Sequence, residues 1–224
     1  MTMFESHVKE LNDSSIDIDA KQKNKLIWDL PVRVGHWALV ACFFGAWLTS
    51  DSEYLAQLHL LFGYSVLALL VFRFFWGFIG SRYARWKSFM FSRREVFSYL
   101  RSISSFSAEK HLGHNPLGSL GIFLMLSLLI VLVASGLGLD LISFYHWLSE
   151  VHEAVAELML IVIFVHVAGV LISGWLHHES LISSMIHGKK NSVPSGAQIP
   201  HAYWGGLGLL VLILCFSTYY VLMR

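Results

Sequence analysis

Glu150–His178, EVHEAVAELMLIVIFVHVAGVLISGWLHH, decides how the rest of the sequence is read. It is a long apolar run carrying two histidines, His152 and His166, fourteen residues apart. In an α-helix that spacing sets the imidazoles about 21 Å apart along the axis, yet within about 40° of one face. One histidine then lies near each side of a membrane. An imidazole in hydrocarbon costs free energy unless a hydrogen bond, an ion or a metal partners it, so a functional role is the default reading of both.

Two earlier apolar segments supply partners: His36 starts one and His59 starts the next. Depth is counted from the side where the loops are short. His59 is two residues inside Gln57 and His152 two inside Glu150, so both are shallow. His36, fourteen residues from Ser50, and His166, sixteen from Glu150, lie about 21–24 Å from that side. The depths pair His59 with His152 and His36 with His166. Two imidazoles on facing helices can hold a haem iron from both sides, so the pattern predicts two haems stacked through a four-helix bundle. Six-coordinate iron has no open position for oxygen, and the expected work is electron transfer.

Composition agrees with a membrane chain. Of 224 residues 55% are hydrophobic and only 14% charged, and the mean hydropathy is +0.59. Five segments approach or exceed the length of about 20 residues that crosses the hydrocarbon core. They run roughly over Leu30–Ser50, Gln57–Gly80, Pro116–Leu139, Glu150–Leu176 and Tyr203–Met223. The expected fold is all-α, a polytopic transmembrane four-helix bundle with a fifth C-terminal transmembrane helix. The expected division is a flexible tail over 1–26, a four-helix domain over 27–190, a linker over 191–202 and the extra helix over 203–224.

The net charge of +1 hides an asymmetry. Basic residues gather before or at the start of the first span, in the 81–116 loop (Arg82, Arg85, Lys87, Arg93, Arg94, Arg101, Lys110) and after the fourth span (Lys189, Lys190). The loops after spans one and three carry Asp51, Glu53 and Asp140 with no basic residue. The positive-inside rule therefore places the N-terminus and the basic loops in the cytoplasm and the C-terminus outside, in the periplasm if the membrane is a bacterial inner membrane. The basic loop suits anionic lipid, and nothing in it argues for nucleic acid. Cys42 and Cys215 both lie in spans and no Cys-x-x-Cys-His occurs, which argues against covalent haem attachment and a disulfide framework.

Asp29 and Pro31 read as a cap and first-turn proline, with Arg33 able to snorkel toward headgroups. Trp28, Trp37 and Trp47 are spaced as interfacial or haem-flanking aromatics, and the interfacial reading is preferred for each. Gly63, a turn beyond His59 on the same face, would let a flat macrocycle approach the backbone or another helix pack closely. Arg73, fourteen residues after His59, reaches the depth of His166, where it either pairs with a haem propionate or extends to the interface. Glu157, a turn deeper than Glu153 on the fourth span, is a candidate proton relay or polar contact. His111 and His114 form an H-x-x-H in a loop, the setting of ordinary polar surface.

Several runs also share one resemblance. They are Trp28-Asp-Leu-Pro-Val-Arg33-Val-Gly-His36-Trp37, His59-x-x-x-Gly63-Tyr64, Arg73-Phe-Phe-Trp76 through Arg82-Tyr-Ala-Arg85, Gly113-His-Asn-Pro-Leu-Gly118, His152-Glu153 and His166-Val-Ala-Gly169. Together they resemble the bacterial cytochrome b561 family, which includes the b-type subunits of nickel-iron hydrogenases. The resemblance covers about residues 27–190. It implies two b haems, ligated by His36, His59, His152 and His166, and electron exchange with a quinone. The Gly-His-Asn-Pro-Leu-Gly loop and fifth helix are similar to members associated with periplasmic c-type cytochromes. Glu157 departs from the pattern, since relatives often have Asn there.

The leading expectation is a dihaem cytochrome passing electrons between the quinone pool and a periplasmic redox protein, a c-type cytochrome or a hydrogenase-like enzyme. A second is a quinone-linked oxidase of a small molecule such as superoxide. A weaker third is a non-haem di-iron hydroxylase using His111, His114, His177, His178 and His187, which lacks the clustered boxes that chemistry needs. A proton-coupled transporter would want broken helices or internal repeats, and neither is visible.

Overall fold

The computed structural model describes residues 25–104, 111–142, 147–190, 193–194 and 196–223. Five helices in it are long and apolar enough to cross a membrane. They are α1 (Leu30–Thr49), α2 (Ala56–Ile79, entered through a short 3-10 turn at Glu53–Leu55), α4 (Pro116–Ile142), α5 (Trp147–His177) and α7 (Trp204–Leu222). Two shorter helices, α3 (Arg93–Ser104) and α6 (Leu181–His187), and two strands, β1 (Lys25–Leu26) and β2 (Lys189–Lys190), lie at the basic end. The bounds follow the five apolar segments closely, because hydrocarbon requires every backbone group to be satisfied within the helix.

The helix starts are written locally. Asp29 caps α1, its Oδ1 accepting from the Val32 amide at 2.8 Å, with Pro31 in the first turn. Asn115 caps α4 by accepting from the Gly118 amide at 2.6 Å. A reciprocal Ser92–Glu95 pair opens α3. Ser180 opens α6, and Gly188 closes it in the left-handed conformation at φ 80°.

The spans form two tight pairs, α1 with α2 and α4 with α5, while α7 lies along α2 and α1. Between the pairs the main backbone contact is α4 with α2. Of all 31 residues in α5 only Met159 is recorded as buried. The outer faces are apolar: Phe164 and Trp175 on α5 are each 71% exposed and Phe216 on α7 is 72% exposed, as lipid-facing side chains should be.

The basic end is closed by a cap. β1 pairs antiparallel with β2, Lys25 opposite Lys190. The Gly188 carbonyl accepts from the amides of Ile27 and Trp28. The tail expected over 1–26 thus has its last two residues in a strand, and the residues before them lie outside those described. Within the expected linker, Val193 and Ile199 are buried with Ile27, Trp28 and Tyr83. The Tyr83 hydroxyl donates to the Ala197 carbonyl at 2.8 Å, and the Ile199 amide to that of Leu26 at 2.9 Å. A stretch rich in Ser, Pro and Gly is here a packed strap, because irregular backbone with two well-placed aliphatic side chains can still close a core. Arg33 reaches the Ile186 carbonyl at 2.6 Å, capping the end of α6 rather than pointing to headgroups. Trp28, expected at the interface, is 5% exposed inside the cap.

Candidate functional site

At the short-loop end, His59 of α2 and His152 of α5 face each other with ring centroids 6.2 Å apart and planes inclined by 66°. Each ring is held through Nδ1. That of His59 lies 2.9 Å from the Ala46 carbonyl, and that of His152 lies 3.0 Å from the Ser135 hydroxyl. With Nδ1 engaged in this way, Nε2 is the nitrogen left for a metal, which is how ligating histidines are usually oriented. Metal–nitrogen bonds of roughly 2.0 Å on either side of one ion put imidazole centroids about 6 Å apart, which the observed separation matches.

Gly63, one turn beyond His59, has nothing within 4 Å of where a Cβ would sit. It therefore leaves open space on the histidine's face instead of seating another helix. Gly136 does the opposite, since a Cβ there would come within 3.1 Å of His152 Cε1; that glycine lets α4 support the ring closely.

At the basic end His36 of α1 and His166 of α5 are partly buried and lie within electrostatic range of each other. Between the two ring pairs sits an apolar layer of Phe43, Val66, Leu129 and Met159. Phe43 is seven residues from His36, Val66 seven from His59, and Met159 seven from both His152 and His166. At 3.6 residues per turn, two turns bring each helix back to nearly the same face. One inward stripe on each helix thus supplies a ligand candidate, an apolar layer and, on α5, a second candidate.

Arg73 is held among aromatic rings at the basic end. Its guanidinium lies 4.5 Å from the Trp86 ring centroid and 5.1 Å from that of Phe89. Nη1 donates to the Ala84 carbonyl at 3.0 Å and Asp29 lies in electrostatic range, which holds the cation inside the basic end. Glu153 and Glu157 are exposed. Asp140 is taken up by the Tyr64 hydroxyl at 2.8 Å.

His114 is the residue that sequence reasoning missed. Instead of polar surface it is a ring enclosed between Trp28 at 4.7 Å and Phe89 at 4.1 Å. Burial, followed by the charges of Arg73, Lys190 and His166, pushes its pKa down to about 3, so the ring is neutral at physiological pH. Its Nδ1 is buried without a hydrogen-bond partner. The signal available in sequence was its place immediately before the Asn115 cap of a span, beside a glycine, Gly113, that packs on Tyr83. The cytoplasmic histidines do not gather for di-iron chemistry: among the described residues no three His, Cys, Asp or Glu side chains group to hold a metal.

The family model described as prokaryotic cytochrome b561 matches residues 27–188, which takes in all four histidines and both ring pairs. The chain belongs to the prokaryotic cytochrome b561 family. It is an integral membrane b-type cytochrome, and its work is electron transfer. The match ends before α7, so the fifth span stands outside the b561 region. A probable Ni/Fe-hydrogenase B-type cytochrome subunit from Rhizobium leguminosarum bv. viciae is 24% identical over 220 aligned positions, covering 76% of this chain and 90% of that relative.

Proposed function

We propose that this cytochrome b561 holds two b haems, one through His59 and His152 and one through His36 and His166, and carries electrons between the membrane quinone pool and a redox partner at the periplasmic surface. The observation that carries the reading is the His59–His152 pair: opposed rings at 6.2 Å, each fixed through Nδ1 by a neighbouring helix. His59 with His152, and His36 with His166, would hold the haem irons, and bound haem would supply one-electron chemistry there. The protein's share is placement. Ala46 and Ser135 fix the tautomer and tilt of the rings, Gly63 leaves room beside one of them, and Arg73 brings a cation to the basic end for an anionic edge. The apolar layer around Met159 keeps water out of the bundle centre between the two sites.

The basic end is assigned to the cytoplasm and the short-loop end to the periplasm of the inner membrane, supported by the distribution of Lys and Arg. Asp51, Glu53 and Glu150 are exposed near the short loops and suit a basic partner, such as a c-type cytochrome. The name of the Rhizobium relative makes a hydrogenase-like enzyme the other candidate partner.

The test is a reduced-minus-oxidised spectrum with a pyridine haemochrome assay on the purified chain and on His36→Ala, His59→Ala, His152→Ala and His166→Ala. Two b haems in the wild type are expected, with one lost in each variant and the same spectral component lost within each pair. Four variants that all keep two haems would overturn the ligation.

A further inference from the structure

The basic end gathers buried positive charge: Arg73, with Asp29 in electrostatic range, and Lys190, with Glu179 in range. Arg73 is anchored over Trp86 and Phe89. Lys190 is 7% exposed, its Nζ 3.3 Å from the His111 carbonyl. Asp29, fully buried, is already engaged by the Val32 amide and, at 3.2 Å, by Trp76 Nε1. His114 faces this group. Its ring is clamped by Trp28 and Phe89 and cannot swing out to water, yet Nδ1 has no acceptor. In the Nδ1–H tautomer this is a buried donor left unsatisfied, which costs about 1–3 kcal/mol, and a partner from outside the described residues would meet it. With Arg73 and Lys190 both in electrostatic range, that partner is an anion rather than a neutral acceptor. His166 is also in range, which puts His114 at the level of the basic-end ring pair.

We propose that His114 donates a hydrogen bond from Nδ1 to a carboxylate of the haem held by His36 and His166, sharing that anion with Arg73. The assignment rests on the two-haem reading above. It makes the Gly-His-Asn-Pro turn part of the cofactor site: Asn115 caps α4, and that cap fixes where the preceding histidine stands. Removing the donor leaves more uncompensated negative charge beside the iron, which favours the oxidised form.

The experiment is spectroscopic redox titration of the full chain in nanodiscs, comparing wild type with His114→Phe, which fills the aromatic clamp, and His114→Asn, whose amide nitrogen stands near the place of Nδ1. Haem content and the midpoint of the other haem report folding, and His114→Leu replaces the Phe variant if that fails to assemble. The expected result is that the haem lost in His36→Ala and His166→Ala becomes about tenfold harder to reduce in the apolar variant, a fall of about 59 mV for one electron, and that Asn restores most of it. Unchanged midpoints, an equal shift of both haems, or the same fall with Asn as with Phe would overturn the proposal, as a buried water on Nδ1 predicts. A wild-type chain without two haems would instead overturn the reading beneath it.

Discussion

Replacing Gly63 separates a residue's service to a cofactor from its service to the fold. No atom stands within 4 Å of a Cβ at this position, so Gly63→Leu has room at its Cβ and gains helix propensity, a difference of up to about 1 kcal/mol. The same side chain would occupy the open space on the His59 face. Haem per chain should fall from two to one, with the His36/His166 component retained and thermal stability of the haem-free protein unchanged or slightly raised. Retention of both haems at full occupancy would return Gly63 to ordinary helix packing. Legibility at this scale divides by environment. His59 and His152 could be read from sequence because an imidazole at a defined depth in hydrocarbon is expensive and few explanations suffice. His114 could not, because it lies in a loop, where sequence carries no depth, and its burial is made by Trp28 and Phe89, which are distant in the chain.

Between helices, the fifth span is the informative case. Asp29 at the head of α1 accepts from Trp76 near the end of α2, and Gly206 of α7 lies so close that a Cβ there would run into the Trp76 ring. Three spans therefore meet on one indole. Gly206→Val should push α7 away, uncover Leu210 and Trp76, and lower the melting temperature of the nanodisc-embedded protein by the equivalent of about 1–3 kcal/mol. Haem content should hold, because no ligand candidate lies on α7. Haem loss in that variant would show that the b561 region depends on its extra helix. Sequence reasoning found α7 and read it as a packing helix, since apolar length is legible. It could not name the partners, because hydropathy along α7 is nearly uniform and marks no face. The segment before α7 was read as a linker for a related reason: turn-forming residues describe the backbone's path, and only Val193 and Ile199 reveal that the path is packed down.

For the whole molecule, two tight helix pairs meet across an apolar layer, with His59 and His152 facing each other at the short-loop end and His36 and His166 at the basic end. The orientation proposed from the charge distribution has a direct test: a reporter fused after Arg224 should behave as periplasmic and one fused before Lys25 as cytoplasmic, and the reverse pattern would invert the assignment of both ring pairs. The strand pairing at the basic end has a consequence in time as well as in space. Lys25 and Lys190 stand 165 residues apart in sequence. At about 5–20 residues per second, roughly 8–33 s pass between the synthesis of one strand and that of the other. Through that interval the first helices already stand in the bilayer while the lid over their basic end does not yet exist. Closure of the basic end therefore waits until four of the five spans have been synthesised.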